Sequence, residues 1–461
     1  MKMKKYALIF LALAPVMQSV KAQVEPFQEG DRIAFLGNSI TEAGFYESNI
    51  WLYYMTRFPE RQISIYNNGI GGDVVGQMNE RFEEDILPKK PNIVVLTFGM
   101  NDSGYFEFHA DDADDVAKEK IQKSLSDFKL IQQKLTNQPQ IRPIVMSSSP
   151  YDETVTNEDN YFPGKFKAME QIAAFQKESA ARNGWPYVDL FYPMTEINLR
   201  QQKLDPTFTL TGPDRIHPGK AGHLVMAAIF LENQGLSGKP VAYVAIDTEK
   251  GILKSENAVI KIDKRSSDGL SFSYHAKSLP FPIDSVSSMW GNPQKQSDAL
   301  NVYPFIEKFN QEILQVKNLK EGNYSLVIDG RIIQTFSADS LGKGVNMALF
   351  GNTPQYQQAR KVMFLNDLRA ELEKKTRDYY WLQFNYFEDQ NLLFEDSQLA
   401  FDKVAEKAKT DVFINSKMNT YQTSRFLEIR KMWEDNIRTI TEKIYQINRP
   451  KIHQIELVAV K

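Results

Sequence analysis

Four short stretches carry the side chains and backbone groups that could act together in one reaction. Gly37-Asn38-Ser39-Ile40-Thr41 offers a serine hydroxyl, and Asn67-Asn68-Gly69-Ile70-Gly71-Gly72 offers backbone N–H groups that glycine lets a ligand approach closely. Gly99-Met100-Asn101-Asp102 offers a side-chain amide, and Asp214-Arg215-Ile216-His217-Pro218 sets a carboxylate three residues before an imidazole. These are the parts that acyl transfer needs. A hydroxyl is a weak nucleophile without an adjacent base, and an imidazole titrating near 6.5 can take and return its proton. A carboxylate on Nδ1–H holds the ring in the useful tautomer. Hydrogen-bond donors must meet the negative charge that grows on the carbonyl oxygen, and losing one commonly costs about 100- to 1,000-fold in rate. Of the five histidines, only His217 has a carboxylate at this spacing inside a loop-to-helix motif.

Such groups can meet only if the elements around them bring them to one edge. Short apolar runs at Arg32–Leu36, Ile63–Tyr66, Ile93–Phe98, Ile144–Met146 and Tyr187–Leu190 read as strands, and Ile-Val-Val-Leu-Thr-Phe lacks polar alternation, as a strand covered on both faces would. Ile121, Leu125, Phe128, Ile131 and Leu135 recur at helical spacing, and Phe166, Met169 and Ile172 begin a second stripe ending near Gly184. Strand–helix alternation with short connections predicts a doubly wound α/β sheet with its functional groups at the carboxyl ends of the strands.

The pattern changes near Gly235–Pro240. The expected division is 1–22 signal peptide, 23–240 catalytic α/β domain, and 241–461 accessory β-rich domain with a helical insertion at about 354–449. Val259–Ile262 and Leu270–Tyr274 read as strands joined by a turn ending at Gly269, and Asp329-Gly330 between Tyr324–Ile328 and Arg331–Phe336 is a hairpin signal. Val362, Leu365, Leu368 and Leu372 mark one long helix. Phe426, Ile429, Trp433, Ile437, Ile440, Ile444 and Ile447 mark a second, expected to pack on the first as a hairpin. Ile452–Val460 reads as a strand returning to the β module.

The chain has 461 residues, 42% apolar and 25% charged, with net charge −3, so disordered, collagen-like and multi-span membrane classes are excluded. Near-neutral charge gives no electrostatic reason to expect a nucleic-acid partner. With no cysteine, disulfides, thiolate nucleophiles, Cys-ligated metals and a diacylglyceryl anchor are ruled out. Lys2, Lys4 and Lys5, the apolar run Ala7–Met17 and Val20-Lys21-Ala22 read as a secretory signal cleaved before Gln23. The apolar run falls well short of the roughly 20 residues of a spanning helix. The mature protein is therefore expected to be exported, periplasmic or secreted, without a membrane span.

The four stretches, in this order, resemble the SGNH/GDSL family of serine hydrolases over residues 30–235. The resemblance implies a flavodoxin-like three-layer α/β/α domain, which agrees with the strand–helix alternation. It implies Ser39 as nucleophile and first oxyanion N–H, Gly72 as the second N–H, with neighbouring Gly71 as the alternative donor. Asn101 would be the third donor, Asp214 and His217 the acid–base pair, and no metal or other cofactor would be required. One position departs from the pattern: the first block usually reads Gly-Asp-Ser, and here Asn38 stands before Ser39. The expected function is an exported serine esterase acting on an acetylated glycan or another small ester. The alternatives are a lipolytic or aryl esterase, or a non-catalytic carbohydrate-binding protein on the same scaffold. His109 and His223 could line the pocket or only pack. Phe45, Tyr46 and Trp51, like Tyr105 and Phe106, could form a sugar-stacking wall or belong to the core. Asp111-Asp112-Ala113-Asp114-Asp115 fits a helix start better than a calcium loop.

Overall fold

The computed structural model describes residues 24–157, 159–286 and 292–460. The proposed signal segment lies outside them. The first half runs β1 (Arg32–Gly37), α1 (Ser39–Glu42), α2 (Tyr46–Arg57), β2 (Ser64–Gly69), α3 (Val75–Glu80), β3 (Ile93–Phe98), α4 (Ala113–Thr136), β4 (Arg142–Ser147), α5 (Lys165–Asn183), β5 (Tyr187–Val188), α6 (Phe191–Gln202) and α7 (Lys220–Asn233). The five strands form one parallel sheet in the order β2-β1-β3-β4-β5, which is the flavodoxin-like arrangement. Strand residues alternate between the two faces. Ile33 and Phe35 of β1 join Ile93 and Val95 of β3 under α2 and α7. Ala34, Leu36, Val94 and Leu96 face α3 and α4. The order reverses between β1 and β3, so a crevice opens beyond their carboxyl ends.

β2 is longer than its apolar residues predict. Leu36 and Gly37 pair with Asn68 and Gly69, so the first part of the second motif is strand rather than loop. The polar residues are tolerated there because each is bonded: the Asn67 amide donates to Glu47 Oε1 at 2.7 Å, and the Asn68 amide to Asp85 Oδ1 at 3.1 Å. Glu47 itself, on α2, is 2% exposed. Burial pushes its carboxyl up to about 8 against the hydrogen bonds that favour its charge. Because the folded pKa exceeds the unfolded value of 4.5, the folded state binds the extra proton, and this site's contribution to stability falls as pH rises from 4.5 to about 8. Glu47→Gln should therefore match wild type in Tm near pH 4.5 and exceed it by several degrees at about pH 8. A Tm difference that is the same at both pH values would contradict this.

The chain continues with β6 (Ala242–Asp247), β7 (Gly251–Glu256), β8 (Ala258–Ser266), β9 (Gly269–Ala276), α8 (Phe305–Phe309), β10 (Glu312–Lys317), β11 (Asn323–Ile328), β12 (Arg331–Ser337), α9 (Ala338–Lys343) and β13 (Val345–Asn346). It ends with α10 (Pro354–Leu382), α11 (Gln398–Lys407), α12 (Val412–Ser424), α13 (Leu427–Ile447) and β14 (His453–Ala459). Two further sheets, β13-β10-β6-β7 and β12-β11-β14-β9-β8, pack face to face. Val244, Ile246, Leu314 and Val316 from one meet Phe272, Leu326, Ile455 and Leu457 from the other. The Asp329-Gly330 turn joins β11 to β12, and β14 does return to the sheet, between β11 and β9.

α10 and α13 pack along each other, with α11 and α12 capping one end through a core of Leu382, Phe387, Val404, Ile414 and Tyr421. The apolar stripe assigned to α10 is only partly interior: Val362 is buried, but Leu368 is 46% exposed. The buried face is largely polar. Asn366 donates to Ser48 Oγ at 2.8 Å, the Arg369 guanidinium lies 4.4 Å from the Trp51 ring centroid, and Glu373 Oε1 accepts the Asn67 N–H at 2.9 Å. The helices thus lie on α2 and β2 through hydrogen bonds and a cation–π contact as much as through hydrocarbon. No helix among the described residues is long and apolar enough to cross a membrane.

Candidate active site

β1 ends at Gly37, where a side chain has no room, since a Cβ would fall 2.1 Å from Thr41 Oγ1. The chain turns there into α1. Asn38 is the N-cap, its Oδ1 accepting the Ile40 N–H at 3.1 Å. Serine fills such caps often, but here the asparagine does so and Ser39 is the first helical residue, its hydroxyl free for other work. Ser39 Oγ lies 2.9 Å from His217 Nε2. The departure at position 38 therefore keeps a capping side chain before the serine.

His217 Nδ1 is 2.5 Å from Asp214 Oδ2, and Asp214 Oδ1 accepts the N–H groups of Ile216 at 3.0 Å and His217 at 2.9 Å. With Nδ1–H given to the carboxylate, Nε2 presents its lone pair to the Ser39 hydroxyl. Burial pushes the Asp214 carboxyl up, but the hydrogen bonds and charge of His217 outweigh it and hold the carboxyl below its usual value. The loop that carries the pair is pinned from beneath. Arg215 adopts φ 65°, and its guanidinium donates to the Asp152 and Asp159 carbonyls, each at 2.9 Å. Gly212, at φ 74°, closes the turn; a Cβ there would lie 2.4 Å from the His217 carbonyl oxygen.

The Gly71 N–H donates to Glu42 Oε2 at 2.6 Å. Among the described residues, the N–H groups of Ser39 and Gly72 are given to no other group. Gly72 has φ 93°, which suits glycine. The Asn101 amide donates one hydrogen to the Asp73 carbonyl at 2.8 Å, and its Oδ1 accepts the Tyr105 O–H at 2.5 Å. An amide carries two hydrogens, so one remains for a ligand, and Tyr105 fixes which way the amide faces. Lys165, fully buried, holds the same turn by donating to the Met100 carbonyl and Ser103 Oγ, each at 2.6 Å, with its Nζ 3.8 Å from the Tyr105 ring centroid.

The structure thus brings Ser39, His217, Asp214, Gly72 and Asn101 to one edge. It sends other candidates elsewhere. Tyr46 and Trp51 are core residues, with 0% and 3% exposure. His223 is buried, its ring parallel to Tyr46 with centroids 6.0 Å apart, and burial, then the neighbouring His217, lower its pKa to about 3. His109 packs beside Phe162, and the acidic run opens α4. Three residues from the helices near the C-terminus were not foreseen. Trp381 Nε1 donates to the Gly71 carbonyl at 3.0 Å, Lys417 Nζ pairs with Glu42 Oε1 at 3.0 Å, and Arg377 Nε donates to the Gly69 carbonyl at 3.1 Å. Arg377 also grips the buried Asp85 with both terminal nitrogens, at 2.7 and 2.8 Å. The trace of Trp381 and Arg377 in the sequence is that α10 loses its apolar stripe after Leu372 while remaining rich in aromatics; Lys417, on α12, leaves none.

A Ser–His–Asp chain beside free N–H donors at the edge of a flavodoxin-like sheet defines a serine hydrolase. Residues 35–225 match the GDSL-like Lipase/Acylhydrolase family, and residues 360–449 match the Diltiazem deacetylase C-terminal helical domain. The chain belongs to the GDSL-like lipase/acylhydrolase family and is a carboxylic ester hydrolase. It is similar along nearly its whole length to a gut microbial diltiazem-metabolizing enzyme, BT4096, at 42% identity and a TM-score of 0.92, covering 95% of this chain and 99% of that one. An acetylxylan esterase from Geobacillus stearothermophilus is 25% identical over 221 residues, 45% of this chain and 94% of that protein. The uncharacterized lipoprotein YqeF of Bacillus subtilis (strain 168) is 26% identical over 186 residues, 39% of this chain and 70% of that protein.

Proposed function

We propose that the protein is an exported serine esterase that removes O-acetyl groups from a carbohydrate. The observation that carries the chemistry is Ser39 Oγ at 2.9 Å from His217 Nε2, with His217 Nδ1 on Asp214. Ser39 attacks the ester carbonyl while His217 takes its proton, and Asp214 holds the ring and stabilises the imidazolium. The N–H groups of Ser39 and Gly72 and the free hydrogen of Asn101 meet the oxyanion. His217 returns the proton to the leaving alcohol, then activates the water that frees acetate and regenerates Ser39. The acetylxylan esterase similarity supports acetyl as the acyl group and sugar as the alcohol. The N-terminal signal pattern supports export, since polymeric substrates lie outside the cell.

A second reading has a specific observation behind it. The match at 360–449 to the diltiazem deacetylase helical domain, with Trp381 of that segment beside Gly71, favours an acetylated polycyclic alcohol instead. The deciding experiment measures acetate release from acetylated xylan, pectin, mannan and sialylated glycans beside diltiazem, with 4-nitrophenyl acetate, butyrate and octanoate as a chain-length series. Preference for an acetylated glycan and a steep loss beyond acetyl are expected. Diltiazem hydrolysis with every glycan inert would establish the second reading, and octanoate preferred over acetate would overturn both.

A further inference from the structure

The N–H of Gly72 belongs to the same planar peptide unit as the carbonyl of Gly71, and in a trans peptide the two point in opposite directions. Whatever holds that carbonyl therefore sets the direction of that N–H. This unit lies between two glycines, and Gly72, at φ 93°, would meet nothing within 4 Å if it carried a Cβ. Glycine on both sides leaves the torsions about this unit open to more values than any other residue would. Its neighbours are held: Arg377 bonds the Gly69 carbonyl at 3.1 Å, and Arg81 Nε bonds Asp73 Oδ2 at 2.7 Å. The unit is the centre of a turn closed by the Asp73 N–H on the Ile70 carbonyl at 3.2 Å, and among the described residues its carbonyl has one side-chain partner, Trp381 Nε1 at 3.0 Å.

We propose that Trp381, delivered by α10 more than 300 residues along the chain, is a positioning residue that locks the Gly71–Gly72 peptide with the Gly72 N–H turned into the oxyanion site. The indole N–H also polarises the peptide it binds, and a hydrogen bond to a carbonyl strengthens the N–H at its other end. The inference rests on the reading above that Gly72 is an oxyanion donor and Ser39 the nucleophile. It gives the helical segment a part in the chemical step without placing any of its residues on substrate.

The test replaces Trp381 with 3-benzothienylalanine, which keeps the shape of the ring and puts sulfur where the N–H was, and separately makes Trp381→Phe. Steady-state hydrolysis of 4-nitrophenyl acetate, the rate of Ser39 labelling by a fluorophosphonate and Tm are measured for each, with Ser39→Ala alongside. For the isostere, kcat and the labelling rate should fall together by about 10- to 100-fold, less than for loss of a whole donor, while KM and Tm stay at wild-type values. Trp381→Phe should show at least the same loss in kcat and decides the matter if the isostere is not obtained. An isostere with wild-type kcat beside an inactive Ser39→Ala overturns the Trp381 assignment alone. A rise in KM with unchanged kcat in Trp381→Phe makes the ring a substrate contact and also overturns it. A Ser39→Ala enzyme that hydrolyses at the wild-type rate brings down instead the reading on which the assignment rests.

Discussion

Ser39→Ala should lower kcat for 4-nitrophenyl acetate by about 10⁵- to 10⁶-fold, the scale on which removal of a nucleophile disables a triad whose members act as a unit. The residue is only partly buried, and its Oγ makes one side-chain contact, to His217, so Tm should remain within about 1 °C of wild type. What rate remains would come from the oxyanion donors and substrate binding, which the substitution leaves in place. A residual rate within tenfold of wild type, from protein shown by mass to carry alanine, would remove Ser39 from the mechanism. Capping cannot account for such a loss, because Asn38 fills that role.

Arg377→Met should produce the largest loss of stability. Asp85 is 0% exposed and Arg377 2%, and the fork of the arginine meets both carboxylate oxygens. Burial pushes the Asp85 carboxyl up, but Arg377 and Arg81 together hold it below its usual value. Methionine fills the volume without the charge, leaving Asp85 with Arg81 and the Asn68 amide and the Gly69 carbonyl without the Arg377 donor. Breaking one side of a buried pair costs about 3–5 kcal/mol, which for a chain of this size is a fall in Tm of about 3–5 °C. Arg377→Lys should recover little of it, since an ammonium cannot bridge two carboxylate oxygens and reach the carbonyl at once. A Tm within about 2 °C of wild type for Arg377→Met would show that the network contributes little to stability.

Local features made the α/β half legible. Ile93–Phe98 declares a doubly covered strand, Gly184 ends α5 in the left-handed conformation it favours (φ 68°), three of the four motifs sit where strands run out, and the fourth just before α7. The misreadings have physical causes. β2 runs on through Asn67 and Asn68 because its neighbours satisfy those amides, and no periodicity announces a partner such as Asp85 or Glu47. Leu368 falls outside the interface because α10 meets the catalytic half largely through polar residues, so the apolar stripe, buried at Val362 and packed on the core at Leu365, marks only part of the buried face. Tyr105 was visible as an aromatic near the site, but a hydroxyl that orients an amide is a matter of angle. Trp381, Arg377 and Lys417 reach the loop from a distance along the chain at which local pattern carries no information.

β14 lies in the middle of its sheet, with Leu457 between Leu326 and Leu270. The middle strand is thus synthesised after both of its neighbours and after the long helical excursion of α10–α13. Until it arrives, β9 and β11 present unpaired edges, the kind of surface on which chains stick to one another. Deleting residues 453–459 is accordingly not the trimming of a tail but the removal of a keystone.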